Sequence, residues 1–192
     1  MKKPPSYESQ ELREFGEVLR GRRTINLYLQ TPVPEALVEE GIEAATWAPN
    51  HHVTEPWRFY LLGKETIAAC LELVYAMVLA KKDAKAAQFK RDNWAEKPGW
   101  LVVTCKTSDD ELRQREDYAA CAAAVQNLML YLWKAGVGSK WTTGDITRDP
   151  RFFEIVGIPD DESVIGLIWY GYPKLTPTQS RSDTDDVLVR RP

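Results

Sequence analysis

Histidine and cysteine are scarce in this chain of 192 residues, which has two histidines and three cysteines. His51 and His52 are adjacent, while Cys70, Cys105 and Cys121 are far apart, so no grouped ligand set for a closed zinc site is present in the sequence. An odd number of cysteines in apolar surroundings indicates buried thiols in a reducing compartment, not a disulfide framework. We therefore expect no metal site and a cytoplasmic protein.

An excess of basic charge and a long apolar run are also missing. The formal net charge is -3 and the pI is near 5.5, whereas nucleic acids and anionic membranes are bound by dense faces of Lys and Arg. The most apolar helical stretch, residues 119–133, is interrupted by Gln126 and Asn127, and the first ten residues lack the apolar region of a secretion signal. The sequence predicts small-molecule chemistry without a nucleic-acid partner or a membrane span.

Familiar catalytic signatures are incomplete. Gly136 and Gly138 begin a GxGxxG pattern, but Trp141 occupies the third glycine position and no strand directly precedes it, which excludes a dinucleotide-binding fingerprint. Gly63-Lys64 is not a phosphate loop, because the leading glycine is absent and Glu65 follows the lysine. No nucleophile lies in an elbow or beside its base, so a Ser-His-Asp or Cys-His hydrolase is only a second function class.

The spacing of apolar residues predicts an α+β fold in a single domain over residues 1–192, with a carboxyl-terminal arm at about 172–192. The charged stretch 81–97 is either an exposed helix or a mobile flap. Helices are predicted up to Gly21, from Pro34 to just before Pro49, through 67–78, over 111–135 and from Asp149-Pro150 to Gly157; strands are predicted at 57–62, 100–105 and 164–170.

The long helix and the arm both suggest a partner surface. The helix contains the segment AACAAAVQN, whose small side chains allow close approach, so it is either central or at a subunit interface. The arm has too few apolar residues to form a core of its own. It is either disordered or wrapped on a partner subunit, and we favour the second because Val187–Val189 resemble a short strand that could extend a sheet.

Two constellations carry the functional signal. Arg22-Arg23-Thr24 places two guanidiniums and a hydroxyl just past a helix, and residues 48–59, APNHHVTEPWRF, form a polar loop that leads into an aromatic strand. Guanidiniums bind phosphate bidentately, although arginines at a helix C-terminus also favour the helix dipole without any ligand. Together the two segments suggest a bound phosphate ester with a flat aromatic body.

These motifs resemble the FMN-dependent nitroreductase family. The shared order is RRT, PVP, a helix, APN, EPWRF, the helix DYAACAAAVQNLMLYLWKAGVGS and a GYP turn, from about Leu19 to Arg181. The resemblance implies a central mixed sheet flanked by helices, an intertwined homodimer and FMN in two symmetric sites across its interface. It also implies oxidation of NADH or NADPH and reduction of nitroaromatics, quinones or similar acceptors.

The resemblance assigns cofactor-binding roles to several positions. Arg22, Arg23 and Thr24 would hold the phosphate and ribityl chain, and Arg181 would close on the phosphate unless Arg190 substitutes for it. Pro49, Asn50 and His51 would reach across the dimer to the partner's flavin, and the backbone of Trp141, Thr142 and Thr143 would face the isoalloxazine. Without a ligand, His51 would be a loop histidine bonded to backbone, Trp141 a core residue and Arg181 a surface arginine.

Val53 and Glu55 depart from the family pattern, since Asn and Gln are frequent there, which leaves the neighbouring polar contacts and the substrate preference open. Phe89, Trp94 and Trp100 are either residues of the site's mouth or core residues.

No side chain is assigned a catalytic role, because the flavin would carry the hydride chemistry while the protein positions it. Donor and acceptor would use one open flavin face in turn, which predicts ping-pong kinetics. Two alternatives remain: an FMN-binding relative with different chemistry, such as dehalogenation or flavin breakdown, and a non-catalytic flavin-binding protein. The sequence does not choose between NADH and NADPH, nor does it identify the acceptor.

Overall fold

The computed structural model describes residues 9–192, so the first eight residues of the predicted domain lie outside the described part. Helices and strands alternate irregularly, as expected for the α+β class. The helices are α1 Gln10–Gly21, α2 Glu35–Thr46, α3 Lys64–Leu79, α4 Ala84–Ala95, α5 Glu111–Lys134 and α6 Pro150–Val156; the strands are β1 Trp57–Leu61, β2 Gly99–Lys106, β3 Gly138–Thr142 and β4 Glu162–Gly171.

The four strands form one sheet in the order β1-β2-β4-β3, and every neighbouring pair is antiparallel. The α+β class with a central sheet is therefore confirmed. The parallel component expected of a mixed sheet is limited, within residues 9–192, to an isolated bridge between Thr24 and Ser139. Strands β2 and β4 lie in the middle and are buried on both faces, which explains their nearly continuous apolar sequences.

Helices cover both faces of the sheet. On one face, α2 and α5 pack through Val38, Leu128 and Leu132 against Leu101 and Ile168 of the sheet. On the other face, residues of α3, α4 and α6 pack around the indole rings of Trp94, Trp100 and Trp169. The small residues of α5, including Ala120, Cys121 and Ala124, are buried in the first cluster. Of the two positions expected for this helix, it occupies the central one in the fold of the single chain.

Local sequence signals explain where several elements begin and end. The side chain of Asp110 accepts hydrogen bonds from the backbone N–H groups of Leu112 and Arg113 at the start of α5. Asp149 caps α6, with Pro150 at its first position, and Gly157 ends that helix in the left-handed region. Gly136, which also has positive φ, follows the end of α5 and turns the chain into β3.

Residues 84–95 form a regular helix with Ala87 and Trp94 buried, so of the two alternatives for residues 81–97 the structure shows the helix. The edge strand β3 was missed, because its alternation of small, charged and aromatic residues lacks the aliphatic pattern of a strand. Within their own chain, residues 187–189 follow a single turn at Thr184–Asp186, are exposed and form no strand. Their pairing with a partner subunit stays a prediction.

The expectation for the thiols is confirmed: Cys70, Cys105 and Cys121 are free and buried. Within residues 9–192, no helix combines the length and the apolarity that crossing a membrane requires. The same part of the chain contains no group of three His, Cys, Asp or Glu side chains arranged as metal ligands.

Candidate functional site

The segment of residues 22–29, here called the edge segment, leaves α1 and runs along the outer side of β3. The backbone N–H of Ile25 donates to the carbonyl of Ser139 at 3.0 Å, beside the bridge formed by Thr24. On its other side, the N–H of Leu29 donates to the carbonyl of Tyr172 at 2.8 Å. The side chain of Ile25 is fully buried. The sheet edge therefore fixes the residues that follow the arginine pair.

Arg22 and Arg23 stand at the start of the edge segment and form an arginine cluster with Arg181. Nη1 of Arg22 and Nε of Arg23 are buried without a hydrogen-bond partner. Neither residue has a carboxylate ion-pair partner among residues 9–192. Burial, followed by the charges of Arg181 and Arg23, lowers the pKa of Arg22. Unpaired buried donors are costly, so the cluster is suited to an anion that accepts hydrogen bonds.

The tail contributes Arg181 to this cluster, while Arg190 lies beside Asp185 at 3.7 Å. Of the two tail arginines considered as alternatives, Arg181 is therefore the one whose charge lowers the pKa of Arg22.

A second group of donors surrounds a cavity of about 260 Å³ at the other end of the edge segment. Its lining includes Asn26, Lys90, Asn93, Lys97, Lys140 and Trp169, which we call the lysine pocket. Lys97 is 6% exposed, and its Nζ donates to the backbone carbonyl of Asn26 at 3.0 Å. Nζ of Lys140 donates to Oδ1 of Asn26 at 2.8 Å and lies 5.5 Å from the ring centre of Trp169.

The lysine pocket is electrostatically positive. The pKa of Lys97 is lowered mainly by burial and also by the charge of Lys140, although Glu96 acts in the opposite direction. Burial and the charge of Lys90 lower the pKa of Lys140. No carboxylate lines the pocket, and the indole N–H of Trp169 is buried without a partner. A ligand rich in acceptor atoms and negative charge would satisfy these groups.

The edge segment joins the two groups. Arg22 and Asn26 are separated by four residues of chain, a span of at most about 14 Å when extended. Thr142 and Gly144, at the end of β3, complete the wall of the lysine pocket. One elongated molecule with an anionic group at one end could therefore contact the arginine cluster and the lysine pocket together.

Trp141 is turned away from the lysine pocket. Its indole N–H donates to the carbonyl of Ile165 at 3.0 Å, and its ring covers Gly166, where a Cβ would collide with it. Its side chain therefore has the core role that was its alternative interpretation. Thr142 faces the pocket, whereas Trp141 and Thr143 do not line it.

Pro49, Asn50 and His51 do not line the lysine pocket of their own chain. Asn50 organises its own loop instead: Oδ1 accepts from the backbone N–H of Glu55 at 2.7 Å, and Nδ2 donates to Oγ1 of Thr54 at 2.9 Å. Thr54 in turn donates to the buried Asp117 of α5 at 2.5 Å. Nδ1 of His51 lies 3.2 Å from Oε1 of Glu116, so the loop is fastened to α5 by side chains and does not rest on backbone contacts alone.

This loop is strained. His52, Val53 and Glu55 have φ angles of 58°, 50° and 43°, in the left-handed region that costs non-glycine residues free energy. Val53 is β-branched and 76% exposed, so no burial offsets its strain. Asn, which is frequent at this position in the family that the sequence resembles, adopts this conformation readily.

Comparison with known proteins gives the family. The model of the nitroreductase family matches residues 19–172. The chain belongs to the nitroreductase family. It is 34% identical to a Bacillus subtilis (strain 168) protein named as an NAD(P)H nitroreductase, YfhC, over 84% of this chain and 85% of the relative. It is also 26% identical to iodotyrosine deiodinase 1 of Rattus norvegicus, over 95% of this chain and 73% of the relative.

Solved structures share the fold. A nitroreductase-like family protein from Bacillus cereus has a TM-score of 0.84 at 26% identity and covers all of this chain and 98% of its own. A Desulfovibrio desulfuricans nitroreductase, solved in complex with FMN, has a TM-score of 0.73 at 20% identity over 93% of this chain and 96% of its own. As a nitroreductase family member the chain is an oxidoreductase.

The candidate site includes residues that sequence reasoning missed, namely Asn26, Lys90, Asn93, Lys97 and Lys140. A signal for some of them was present. Lys90 and Trp94 are one turn apart on α4, and Lys97 follows the end of that helix by two residues. Asn26 follows Thr24 by two residues on an extended segment. The sequence does not show that Asn26 lies next to Lys97 and Lys140, because the strand β3, which carries Lys140, was not predicted.

We predict that Val53→Asn stabilises the protein. Asn tolerates positive φ and the exposed valine side chain makes no core contact, so the free energy of unfolding should rise by about 1 kcal/mol. Urea unfolding monitored by circular dichroism measures this change. Val53→Ala is the matched control, because it removes the branching but keeps a Cβ. It should raise the free energy of unfolding by less than Val53→Asn does. A loss of stability in Val53→Asn would show that the loop is not strained at this residue.

We also predict that Arg22→Met raises the melting temperature of the flavin-free protein by a few degrees. Methionine keeps much of the side-chain volume but removes a desolvated charge that Arg23 and Arg181 repel. Inorganic phosphate should raise the melting temperature of the wild-type protein more than that of the variant. Arg13→Met, an exposed change on the same helix, should show neither effect. A phosphate response that persists in Arg22→Met would argue against an anion at this cluster.

Proposed function

We propose that this protein binds FMN and uses NADH or NADPH to reduce nitroaromatic, quinone or similar acceptors. The observation that carries the proposal is the pair of buried guanidinium nitrogens of Arg22 and Arg23 that have no hydrogen-bond partner. They lie on the same short segment as a pocket walled by three lysines. Family membership and the FMN complex of a protein with the same fold support this assignment.

The arginine cluster would hold the FMN phosphate. Guanidiniums donate paired hydrogen bonds to phosphate oxygens, and Arg181 would add a third charge from the tail. Thr24 is exposed next to them on the edge segment and can donate its hydroxyl hydrogen to the ribityl chain or the phosphate. Such a ligand would offset the repulsion that lowers the pKa of Arg22.

The lysine pocket would hold the ring system by its pyrimidine edge, whose carbonyl oxygens and N1 accept hydrogen bonds. Lys97, Lys140 and Asn93 present donors there, and Asn26 holds both lysines through the bonds to its carbonyl and side-chain oxygens. Positive charge at this edge would stabilise the reduced, more negatively charged form of a bound flavin ring. The backbone from Thr142 to Gly144, at the end of β3, would border the ring.

Bound FMN would supply the hydride chemistry, while the chain supplies position and charge. No acid or base of the chain is assigned to a proton transfer. The side chain of His51 is 58% exposed and pairs with Glu116, and Cys70, Cys105 and Cys121 are buried away from solvent. The buried reduced thiols also favour the cytoplasm as the location of the protein.

A homodimer is part of the proposal. The apolar face of α1, with Leu12, Phe15 and Leu19, is exposed, and Trp47 at the end of α2 is 80% exposed. Contiguous exposed apolar surface of this kind indicates an interface. A second copy would cover it, and the loop of Pro49, Asn50 and His51, which does not line its own pocket, would then be free to reach the partner's flavin.

We expect Arg22→Ala to weaken FMN binding by about 1.5 to 3 kcal/mol, the range for losing a hydrogen bond to a charged group. Riboflavin, which lacks the phosphate, should bind the variant almost as well as it binds the wild type. Quenching of flavin fluorescence on titration measures both affinities, and Arg13→Ala provides the control. Equal weakening for FMN and riboflavin would mean that Arg22 does not hold the phosphate.

Sedimentation tests the shared site. At micromolar concentration the flavin-loaded protein should sediment as two 21.9 kDa chains, because the exposed face of α1 needs a cover. Phe15→Glu should shift the equilibrium toward monomer and release FMN, while Glu17→Gln on the same helix should change neither. A stable monomer with full flavin occupancy would contradict the dimer.

Anaerobic mixing with NADH and with NADPH tests the function directly. At least one donor should bleach the flavin in the absence of acceptor, and steady-state rates should give parallel double-reciprocal lines, since donor and acceptor use one ring face in turn. His51→Ala should keep FMN and turnover. If that variant accepts hydride normally but loses acceptor reduction by about a thousandfold, as for a lost general acid, catalysis is not carried by the flavin alone.

Reductive dehalogenation is the second candidate, favoured by the similarity to iodotyrosine deiodinase 1 over 95% of this chain. Release of iodide from an iodinated phenol by the reduced protein would support it. Failure to release halide, together with rapid turnover of nitroaromatics, would favour the first proposal.

A further inference from the structure

A second cavity, of about 440 Å³, opens between α3 and α4 beside the lysine pocket; we call it the α3–α4 cavity. Its apolar walls include Val74, Met77, Val78, Ala86, Phe89 and Ile146. This volume suits a molecule with one or two rings. The side chain of Phe89 is 73% exposed and borders the opening. The volume and the apolar walls therefore suit an apolar ring system.

The α3–α4 cavity adjoins the lysine pocket. Lys90, Trp94 and Gly144 line both spaces. If the proposed function is correct, a molecule in the α3–α4 cavity lies next to the ring of the bound flavin. This adjacency makes the cavity a candidate site for the electron acceptor.

The charged residues at the cavity are predominantly basic. Lys81, Lys82, Lys90 and Asp145 line it, but Asp145 is already paired with Lys81 at 2.9 Å and with Arg148 at 3.1 Å. Lys82 and Lys90 have no ion-pair partner within residues 9–192. Lys90 instead lies 5.1 Å from the ring centre of Trp94, at the junction of the two spaces. Apolar walls with unpaired lysines at the rim match an apolar molecule that carries an acid group.

We propose that the electron acceptor is an aromatic acid, whose rings fill the α3–α4 cavity and whose carboxylate or other anionic group is bound by Lys82 and Lys90. This inference rests on the proposed function and specifies its substrate class. For a nitro acid the overall step is NADPH + H⁺ + R–NO₂ → NADP⁺ + R–NO + H₂O. One N–O bond breaks, the nitro nitrogen gains two electrons from the nicotinamide, and the oxygen leaves as water with the transferred hydrogen and a proton.

The test compares matched acceptors with the flavin-loaded, full-length protein. 4-Nitrobenzoate, neutral 4-nitrobenzamide and cationic 4-nitrobenzyl-trimethylammonium have similar rings but different charges. The KM for the benzoate should be the lowest, by roughly three- to tenfold relative to the amide, and the preference should shrink as salt is added. Lys82→Gln should remove most of this preference. Lys85→Gln, the same change at an exposed lysine of α4 outside the cavity, should leave it intact.

The cavity is tested separately from the charge. Ala86→Leu narrows the α3–α4 cavity and should raise the KM for the benzoate and the amide alike. Calorimetric binding of 4-nitrobenzoate to the oxidised protein gives a readout that needs no turnover. It should be tighter than binding of the amide in the wild type and in Lys85→Gln, but not in Lys82→Gln.

The outcomes separate the two proposals. If the donor bleaches the flavin and neutral acceptors turn over, but the benzoate has no advantage in KM or in calorimetric affinity, the substrate class is wrong and the proposed function stands. Binding of neither aromatic compound would also overturn the inference, since the cavity would then have another occupant. If the benzoate binds with the expected dependence on Lys82 but no donor bleaches the flavin, the aromatic-acid site stands and the proposed function fails.

Discussion

The pairing of the edge segment with β3 is the contact on which the candidate site depends. The hydrogen bond from the Ile25 N–H to the Ser139 carbonyl, with the fully buried Ile25 side chain, fixes residues 22–29 against the sheet. Arg22 and Arg23 precede this anchor and Asn26 follows it, so the arginine cluster and the lysine pocket have a defined separation. Close approach is possible because Gly138 leaves room for Ile25, where a Cβ would collide with that side chain. Loss of this contact would uncouple the two groups even if every charged residue remained.

The same region concentrates positive charge without internal compensation. Arginine and lysine side chains are partly removed from water, their pKa values are lowered by burial and by each other, and buried nitrogens remain without partners. A fold optimised only for stability would pair or expose such groups. Their presence in this oxidoreductase is the pattern expected where binding has been favoured over stability. An anionic ligand would reverse the balance, because it would supply acceptors for the free donors.

The loop at residues 50–55 costs free energy in a different way, through backbone strain. Three consecutive or nearly consecutive non-glycine residues adopt positive φ, and the loop keeps this shape because Asn50, Thr54 and the buried Asp117 form one chain of hydrogen bonds. The conformation is thus imposed by α5, the helix at the centre of the fold. The strained loop and the exposed apolar face of α1 are explained more simply if a second copy of the chain would cover them.

Much of this structure was determined by the sequence itself. Apolar spacing, capping residues such as Asp110 and Asp149, and turn glycines such as Gly157 act over a few residues, so most helices and the strands β1, β2 and β4 were predicted close to their observed positions. The order of motifs also identified the family and the arginine cluster. Only the tertiary structure decided that β3 is a strand, that Trp141 turns into the core and that residues 187–189 do not extend the sheet of their own chain. It alone brought Lys90, Lys97 and Lys140 together around Asn26. These outcomes depend on pairing and packing between residues distant in sequence, whose energies no local pattern records.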